Sequence, residues 1–146
     1  MRLSGYGVKA YVYFIGKTRD PHLNGAADEY FKRSQRYLKC EVREIHADRF
    51  DFWAKHPTAT KILLDPEGRS MDSHAFAKLI GKAEDEARDL VFVIGGHGGL
   101  PADWKKRADL LLSLSAMTWP HELARVMLAE QIYRGLTILR GHPYPR

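Results

Sequence analysis

Apolar positions along this chain change their spacing several times, and each change marks an element. Residues 90–94 (LVFVI) and 110–114 (LLLSL) are short runs with almost no polar interruption. Such runs predict strands covered on both faces, hence a parallel sheet in which the two lie side by side. Residues 11–15 (YVYFI) alternate and are rich in aromatics, which predicts a first strand ended by Gly16. Residues 41–47 (EVREIHA) alternate charge with Val42 and Ile45, as a half-exposed strand near a sheet edge does. Residues 61–65 (KILLD) predict a further buried strand, closed by a turn at Pro66-Glu67-Gly68.

Between these runs the spacing becomes helical. Asp20 and Pro21, with Asn24 as a second cap candidate, open a helix to about residue 38 whose inward face carries Ala27, Tyr30, Phe31 and Ser34. Lys32, Arg33, Arg36 and Lys39 crowd its other side, either as a solvated surface or as a stripe that follows phosphates. Met71-Asp72-Ser73 open a helix to about residue 88 with Phe76, Leu79, Ile80 and Ala83 inward. Residues 48–56 hold Phe50, Phe52 and Trp53 in a span too short for a stable independent helix, and Pro57 stops it. The last helix, 119–139, takes Thr118 as its N-cap with Pro120 in its first turn. Leu123, Val126, Met127, Leu128, Ile132 and Leu136 spread around more of it than one buried stripe needs. That surplus predicts self-association, most simply as a twofold dimer. Glu130 and Arg134 are spaced as a supporting pair, and Gly135 predicts close helix packing.

Strands alternating with helices in this order predict an α/β fold, a mostly parallel sheet with helices on both faces. At 146 residues it is one domain, 1–146, with residues 1–9 as a loosely ordered lead-in. No run approaches the roughly 18 apolar residues of a membrane span, and the N-terminus lacks a signal peptide's apolar core, so the expected location is cytoplasmic, with no membrane. The single Cys40 permits no intrachain disulfide and no multi-cysteine metal site, and no metal is expected. With 23 Lys and Arg against 18 Asp and Glu the formal charge is +5, which favours a polyanionic partner without identifying it.

Ligands bind at the carboxyl ends of parallel strands. Two loops fall there. Gly95, Gly96, Gly98 and Gly99 bare the backbone after one strand, and Ser113, Ser115 and Thr118 place small hydroxyls after the other. The glycine loop departs from GxGxxG, because Pro101 stands where the next glycine would fall, and no Lys-Ser or Lys-Thr follows as in a P-loop. It fits close approach of an uncharged group such as adenosine, or simply a tight turn. The tail, His142-Pro143-Tyr144-Pro145-Arg146, cannot continue a helix; it is either a frayed terminus or one whose aromatic, imidazole and guanidinium groups take a base and a phosphate.

The segments VIGGHGGL, LSLSAMTWPHELARVMLAEQIYRG and GHPY together resemble the RlmH family of SPOUT-class methyltransferases, closely over residues 90–144 and more loosely before them. The resemblance implies an α/β domain with a C-terminal trefoil knot, a homodimer, and methylation of N3 of a pseudouridine in 23S ribosomal RNA on the assembled ribosome. It implies S-adenosylmethionine as cofactor, held by Leu64, Gly95, Gly96, Leu114, Ser115, Ala116, Met117, Thr118 and Trp119. His142, Tyr144 and Arg146 become the residues expected to place the target nucleotide, with His142 the first candidate for a proton acceptor ahead of His97 and His121. Arg125 and Arg134 are expected either to hold RNA phosphate or to join two subunits. A tryptophan at Gly96 is expected to abolish cofactor binding in a folded protein. The chain departs from the family pattern at His97 and Gly98, at Pro145, and in a shortened 47–60 region. Two other readings stay open: a SPOUT methyltransferase for a different RNA site, and an RNA-binding relative without catalysis.

Overall fold

The computed structural model describes residues 7–144. Five strands form one parallel sheet: β1 (Lys9–Ile15), β2 (Lys39–Ile45), β3 (Thr60–Ser70), β4 (Leu90–Ile94) and β5 (Leu110–Ser113). Their spatial order is β2-β1-β4-β3-β5. The two most apolar runs are therefore not neighbours, contrary to the expectation, because β3 lies between them. Continuity of apolar residues reports coverage on both faces, and an inner position satisfies that equally well beside a third strand. β2, the most polar strand, lies at an edge as its alternation predicts.

Helices cover both faces. On one face lie α1 (Pro21–Ser34), α3 (Ser73–Asp85) and α5 (His121–Arg140); on the other lie two short ones, α2 (Phe52–Lys55) and α4 (Ala102–Arg107). The pleat divides the strand residues accordingly. Ala10, Val12, Phe14, Ile62, Phe92 and Leu112 join the three-helix core, whereas Tyr13, Leu63, Val91 and Val93 join Phe52 and Trp104. α2 is a single turn that its own hydrogen bonds could not hold. It is fixed by Phe52, fully buried and edge-on to Trp104 with ring centroids 4.9 Å apart. Burial of that side chain contributes about 1.5–3 kcal/mol. Beneath it the Tyr13 hydroxyl meets His56 Nε2 at 2.6 Å. Burial pushes the Tyr13 phenol up to about 12 and His56 below its ordinary value, so the pair stays neutral.

Caps set the ends of α1 and α3. Asp20 Oδ1 accepts from the N–H groups of His22 and Leu23, and Asp72 Oδ1 accepts from that of Ala75 at 2.8 Å. Ala27, Phe31 and Ser34 of α1 are buried, as their spacing predicts. The cations Lys32, Arg33, Arg36 and Lys39 are all exposed, with Arg33 paired to Glu29 at 2.8 Å. α5 differs from its expected start. It begins at His121 after Pro120 with no side-chain cap, so Thr118 does not cap it.

Packing of α5 also corrects the argument from surplus apolar surface. The helix lies against both α1 and α3, so most of its circumference is covered inside one chain: Tyr133 meets Tyr30 of α1 at 6.1 Å. A Cβ on Gly135 would lie 3.2 Å from Ile80 Cδ1 and 3.4 Å from Ala77 Cα, so the glycine does mark close packing. Arg125 ties α5 to α1, and Arg134 braces α5 itself. Arg125 is buried, donates to Asn24 Oδ1 at 2.6 Å and Asp28 Oδ1 at 3.2 Å, and lies over the Phe14 ring. Arg134 pairs with Glu130 at 2.7 Å.

β3 carries the feature that shapes the ligand edge. The sequence places a closing turn at Pro66-Glu67-Gly68; instead the strand runs through it to Ser70. Leu64 and Arg69 both align with Leu112 of β5, so residues 65–68 bulge from the ladder. Gly68 makes this close pass feasible, since a Cβ there would lie 2.6 Å from the Leu111 backbone.

Candidate cofactor cavity and the tail

The bulge of β3, the glycine loop after β4 and the loop after β5 meet over the carboxyl ends of their strands, around a cavity of about 600 Å³. That volume is within the range of small-molecule sites. Leu64, Gly95, Gly96, Leu114, Ser115, Met117, Thr118 and Trp119 all line it. Ala116, the remaining residue of the expected set, is exposed and does not. Each loop brings backbone to the space in its own way. Gly99 N–H donates to the Gly96 carbonyl at 2.9 Å, closing the glycine loop. Ser113 Oγ donates to the Ser115 carbonyl at 2.8 Å, and Ser115 Oγ accepts from Met117 N–H at 3.1 Å, folding the second loop on its own side chains.

The glycines are required by contact. A Cβ on Gly96 would lie 2.6 Å from the Ile15 carbonyl oxygen, and one on Gly95 2.8 Å from the Gly99 backbone. Both neighbours are main chain and cannot swing away. Gly96→Trp would therefore disturb the β1 and β4 ends themselves, which corrects the expectation of a folded protein lacking only its cofactor.

Several lining residues were not foreseen. Asp65 was read only as a strand end, yet its buried carboxylate accepts from Glu67 N–H at 2.8 Å and pairs with Lys105 Nζ of α4 at 2.7 Å. Burial alone would push the Asp65 carboxyl up; the Lys105 and Glu67 bonds outweigh it and hold the group below its ordinary value. The same bond raises Lys105. A fixed carboxylate and ammonium thus face one wall, while Ile94, Leu112, Leu114 and Ala124 make another apolar. The signal available was local: an aspartate beside Pro-Glu-Gly at the end of a buried strand. His97 and His121 also line the cavity, while Met117 and Trp119, 68% and 38% exposed, stand at its mouth.

The tail is elsewhere. α5 starts at the cavity and runs 20 residues away from it, about 30 Å of helix at 1.5 Å per residue. Beyond it Tyr144 folds back: its hydroxyl donates to Glu130 Oε2 at 3.0 Å and its ring lies 4.7 Å from that of Tyr133. Burial, then bonds to Tyr30 and Glu130, push the Tyr144 phenol above its ordinary value. His142 is exposed, and its Nδ1 accepts from Tyr144 N–H at 3.2 Å. The neutral ring then carries its proton on Nε2, and the nitrogen that could take a proton is engaged. Arg146, with Pro145, lies outside the described residues. Neither His142 nor Tyr144 lines the cavity.

A parallel sheet with its cavity at these three loops restricts the class, and comparison decides it: the family model described as "Predicted SPOUT methyltransferase" matches residues 8–145. The chain belongs to the SPOUT methyltransferase family. A SPOUT relative from Solibacter usitatus (strain Ellin6076), named Ribosomal RNA large subunit methyltransferase H, is 64% identical over 139 residues, 95% of this chain and 100% of that one. The resemblance read from the glycine loop and the residues after β5 is thereby borne out. Among solved structures, a methylase family protein from Haemophilus influenzae Rd KW20 has a TM-score of 0.66 at 10% identity, over 95% of this chain and 71% of that one. An AdoMet-bound rRNA methyltransferase from Sinorhizobium meliloti has a TM-score of 0.55 at 12% identity, over 90% of this chain and 58% of that one. At those identities the two structures bear on the SPOUT fold alone.

Proposed function

We propose that this SPOUT enzyme transfers a methyl group from S-adenosylmethionine to N3 of a pseudouridine in 23S ribosomal RNA, acting on the assembled ribosome in the cytoplasm. The observation that carries it is the convergence of the β3 bulge, the glycine loop and the 113–119 loop on one cavity. The lining suits the cofactor: Leu64, Ile94, Leu112, Leu114 and Ala124 are apolar, and Gly95, Gly96 and Gly99 add no side chains to the space. Leu64, Gly95, Gly96, Leu112, Leu114 and Ala124 would hold the nucleoside, with Ser115, Met117, Thr118 and Trp119 beside it. Bound there, S-adenosylmethionine supplies an electrophilic methyl on a sulfonium.

What remains for the protein is to orient the acceptor and to manage its proton. In-line alignment of N3 with the methyl is the first requirement. The N3 imide proton must leave, to a base or to water. His142 is placed for this only if its bond to the Tyr144 N–H opens. Tyr144 and Arg146 are assigned to the nucleotide. Tyr144 folds back to Glu130, midway along α5, and neither His142 nor Tyr144 lines the cavity of its own chain; in this reading the tail that serves a cavity comes from a second copy, in a homodimer. The same reading includes the trefoil knot. β5 lies outside β3, yet α5 packs between α1 and α3, so the 114–120 connection has to cross the exit of β3. Among the described residues no helix is long and apolar enough to cross a membrane.

The test is methyl transfer from labelled S-adenosylmethionine to ribosomes lacking the modification, with the modified nucleotide mapped. Labelling at N3 of one 23S pseudouridine is expected. Labelling at another nucleotide would transfer the reading to a different RNA site. Cofactor binding by calorimetry without transfer to any RNA would leave an inactive RNA-binding relative.

A further inference from the structure

The charged wall of the cavity has a chemistry that the methyl transfer itself does not call for. Among the described residues, Lys105 is the one Lys or Arg lining the cavity; Asp65 and Glu67 are its acids, and His97 and His121 its other titratable groups. Lys105 belongs to α4, and Asp65 and Glu67 to the β3 bulge, so the charges meet only because the bulge turns residues 65–67 toward α4. Asp65 is 6% exposed, and its two oxygens are used by the Glu67 N–H and the Lys105 ammonium. Lys105 is 40% exposed and has two further donors free of that bond. An ammonium fixed by a buried carboxylate, with a second, exposed carboxylate two residues along the bulge, suits a ligand carrying both signs close together. It suits a phosphate poorly, because a dianion would meet Asp65 and Glu67 as well as Lys105.

We propose that Lys105, held by Asp65, binds the α-carboxylate of the cofactor's amino-acid end, with Glu67 facing its ammonium. This rests on the reading of the cavity as a site for S-adenosylmethionine and adds to it the subsite that selects an aminoacyl-bearing nucleoside over a bare one. Apolar Ile94, Leu112 and Leu114 then receive the adenosine, and the two ends of the ligand are read by different groups of lining residues. Lys105 stays charged across the working pH range, since its bond to Asp65 raises it from an ordinary value of 10.5.

Calorimetry with three probes tests this: S-adenosylmethionine, S-adenosylhomocysteine and 5′-methylthioadenosine, of which the last lacks the amino-acid end. Lys105→Met is expected to weaken the first two by about tenfold or more, the scale of a charge-assisted bond, and the third by less than about twofold. Lys105→Arg is expected to regain most of the loss, and Glu67→Gln to weaken the same two probes by a smaller factor. Equal weakening of all three probes by Lys105→Met would mean that the pair only shapes the cavity, and would overturn the subsite. So would unchanged affinity for all three. Failure of the unmodified protein to bind any probe would instead overturn the cofactor cavity, and the subsite with it.

Discussion

At its first turn α5 borders an open space made mostly by other elements, whereas towards its other end it is clasped by side chains. His121 and Ala124 face the cavity, and Glu122 Oε1 accepts from the Arg19 and Asp20 N–H groups at 2.7 and 3.0 Å, tying this end to the start of α1. At the other end Arg140 bonds both oxygens of Glu84, and beyond it Tyr144 reaches back to Glu130, midway along the helix. The difference teaches what each end can tolerate. An open space gathered from three loops keeps its place when one lining residue changes, but one inserted side chain can fill it. A clasp made of a phenol and a carboxylate can be opened by one substitution or by pH, with the fold left standing.

The largest effect is expected from filling the first end. Ala124→Trp puts an indole into a cavity of about 600 Å³ from a half-buried helix position. Affinity for S-adenosylmethionine is expected to fall by at least about a hundredfold, equivalent to roughly 2.7 kcal/mol, read by calorimetry. The melting temperature should change little, because the side chain has space to enter. Retained affinity would place the cofactor elsewhere.

The second effect divides the ends from each other. Removal of residues 142–146 is expected to leave cofactor affinity within about twofold and to lower methyl transfer by at least about tenfold, since the described tail makes no contact with its own cavity. Mixing the truncated protein with Ala124→Trp then asks whether cavity and tail cooperate between copies. One supplies the intact cavity, the other the intact tail. Recovery of transfer in the mixture is expected from a homodimer with shared sites; two inactive proteins that stay inactive together would break that arrangement.

These two regions were also unequally legible in the sequence. The ligand edge could be anticipated because glycines after a buried strand and small hydroxyls after another need no partner to declare themselves; the nine residues themselves were implied by the family resemblance, and eight of them do meet. Asp65 and Lys105 could not, because they stand 40 positions apart and are joined only through a bulge that reads, locally, as a Pro-Glu-Gly turn. Strand neighbours were equally hidden: the apolar content of β4 and β5 is the same whether or not β3 separates them. For α5, apolar residues around the helix looked like a subunit interface, while the structure meets most of them with α1 and α3. A periodicity counts the faces that are covered and says nothing of which chain covers them.

The smallest expected effect concerns the clasp alone. Tyr144 is raised from its ordinary 10.0 by burial and by its bonds to Tyr30 and Glu130, so the docked tail prefers the neutral phenol. An acid whose docked value lies above its free value binds more protons when docked. The contribution to docking is therefore complete below pH 10 and declines as pH rises above it. Cleavage after Arg140, the last residue of α5, by a protease active at alkaline pH should accelerate through that interval in the unmodified protein, with cofactor affinity changing less. Tyr144→Phe removes both the ionisation and the bond to Glu130, so its tail should be cut faster at neutral pH and show a weaker dependence above it. Glu130→Gln keeps the ring contact with Tyr133 but takes away the carboxylate that holds the proton on the phenol. Its acceleration should begin near the same pH as in the unmodified protein but be smaller and level off at lower pH, and an identical profile in all three proteins would show that the tail is held by packing and not by this bond.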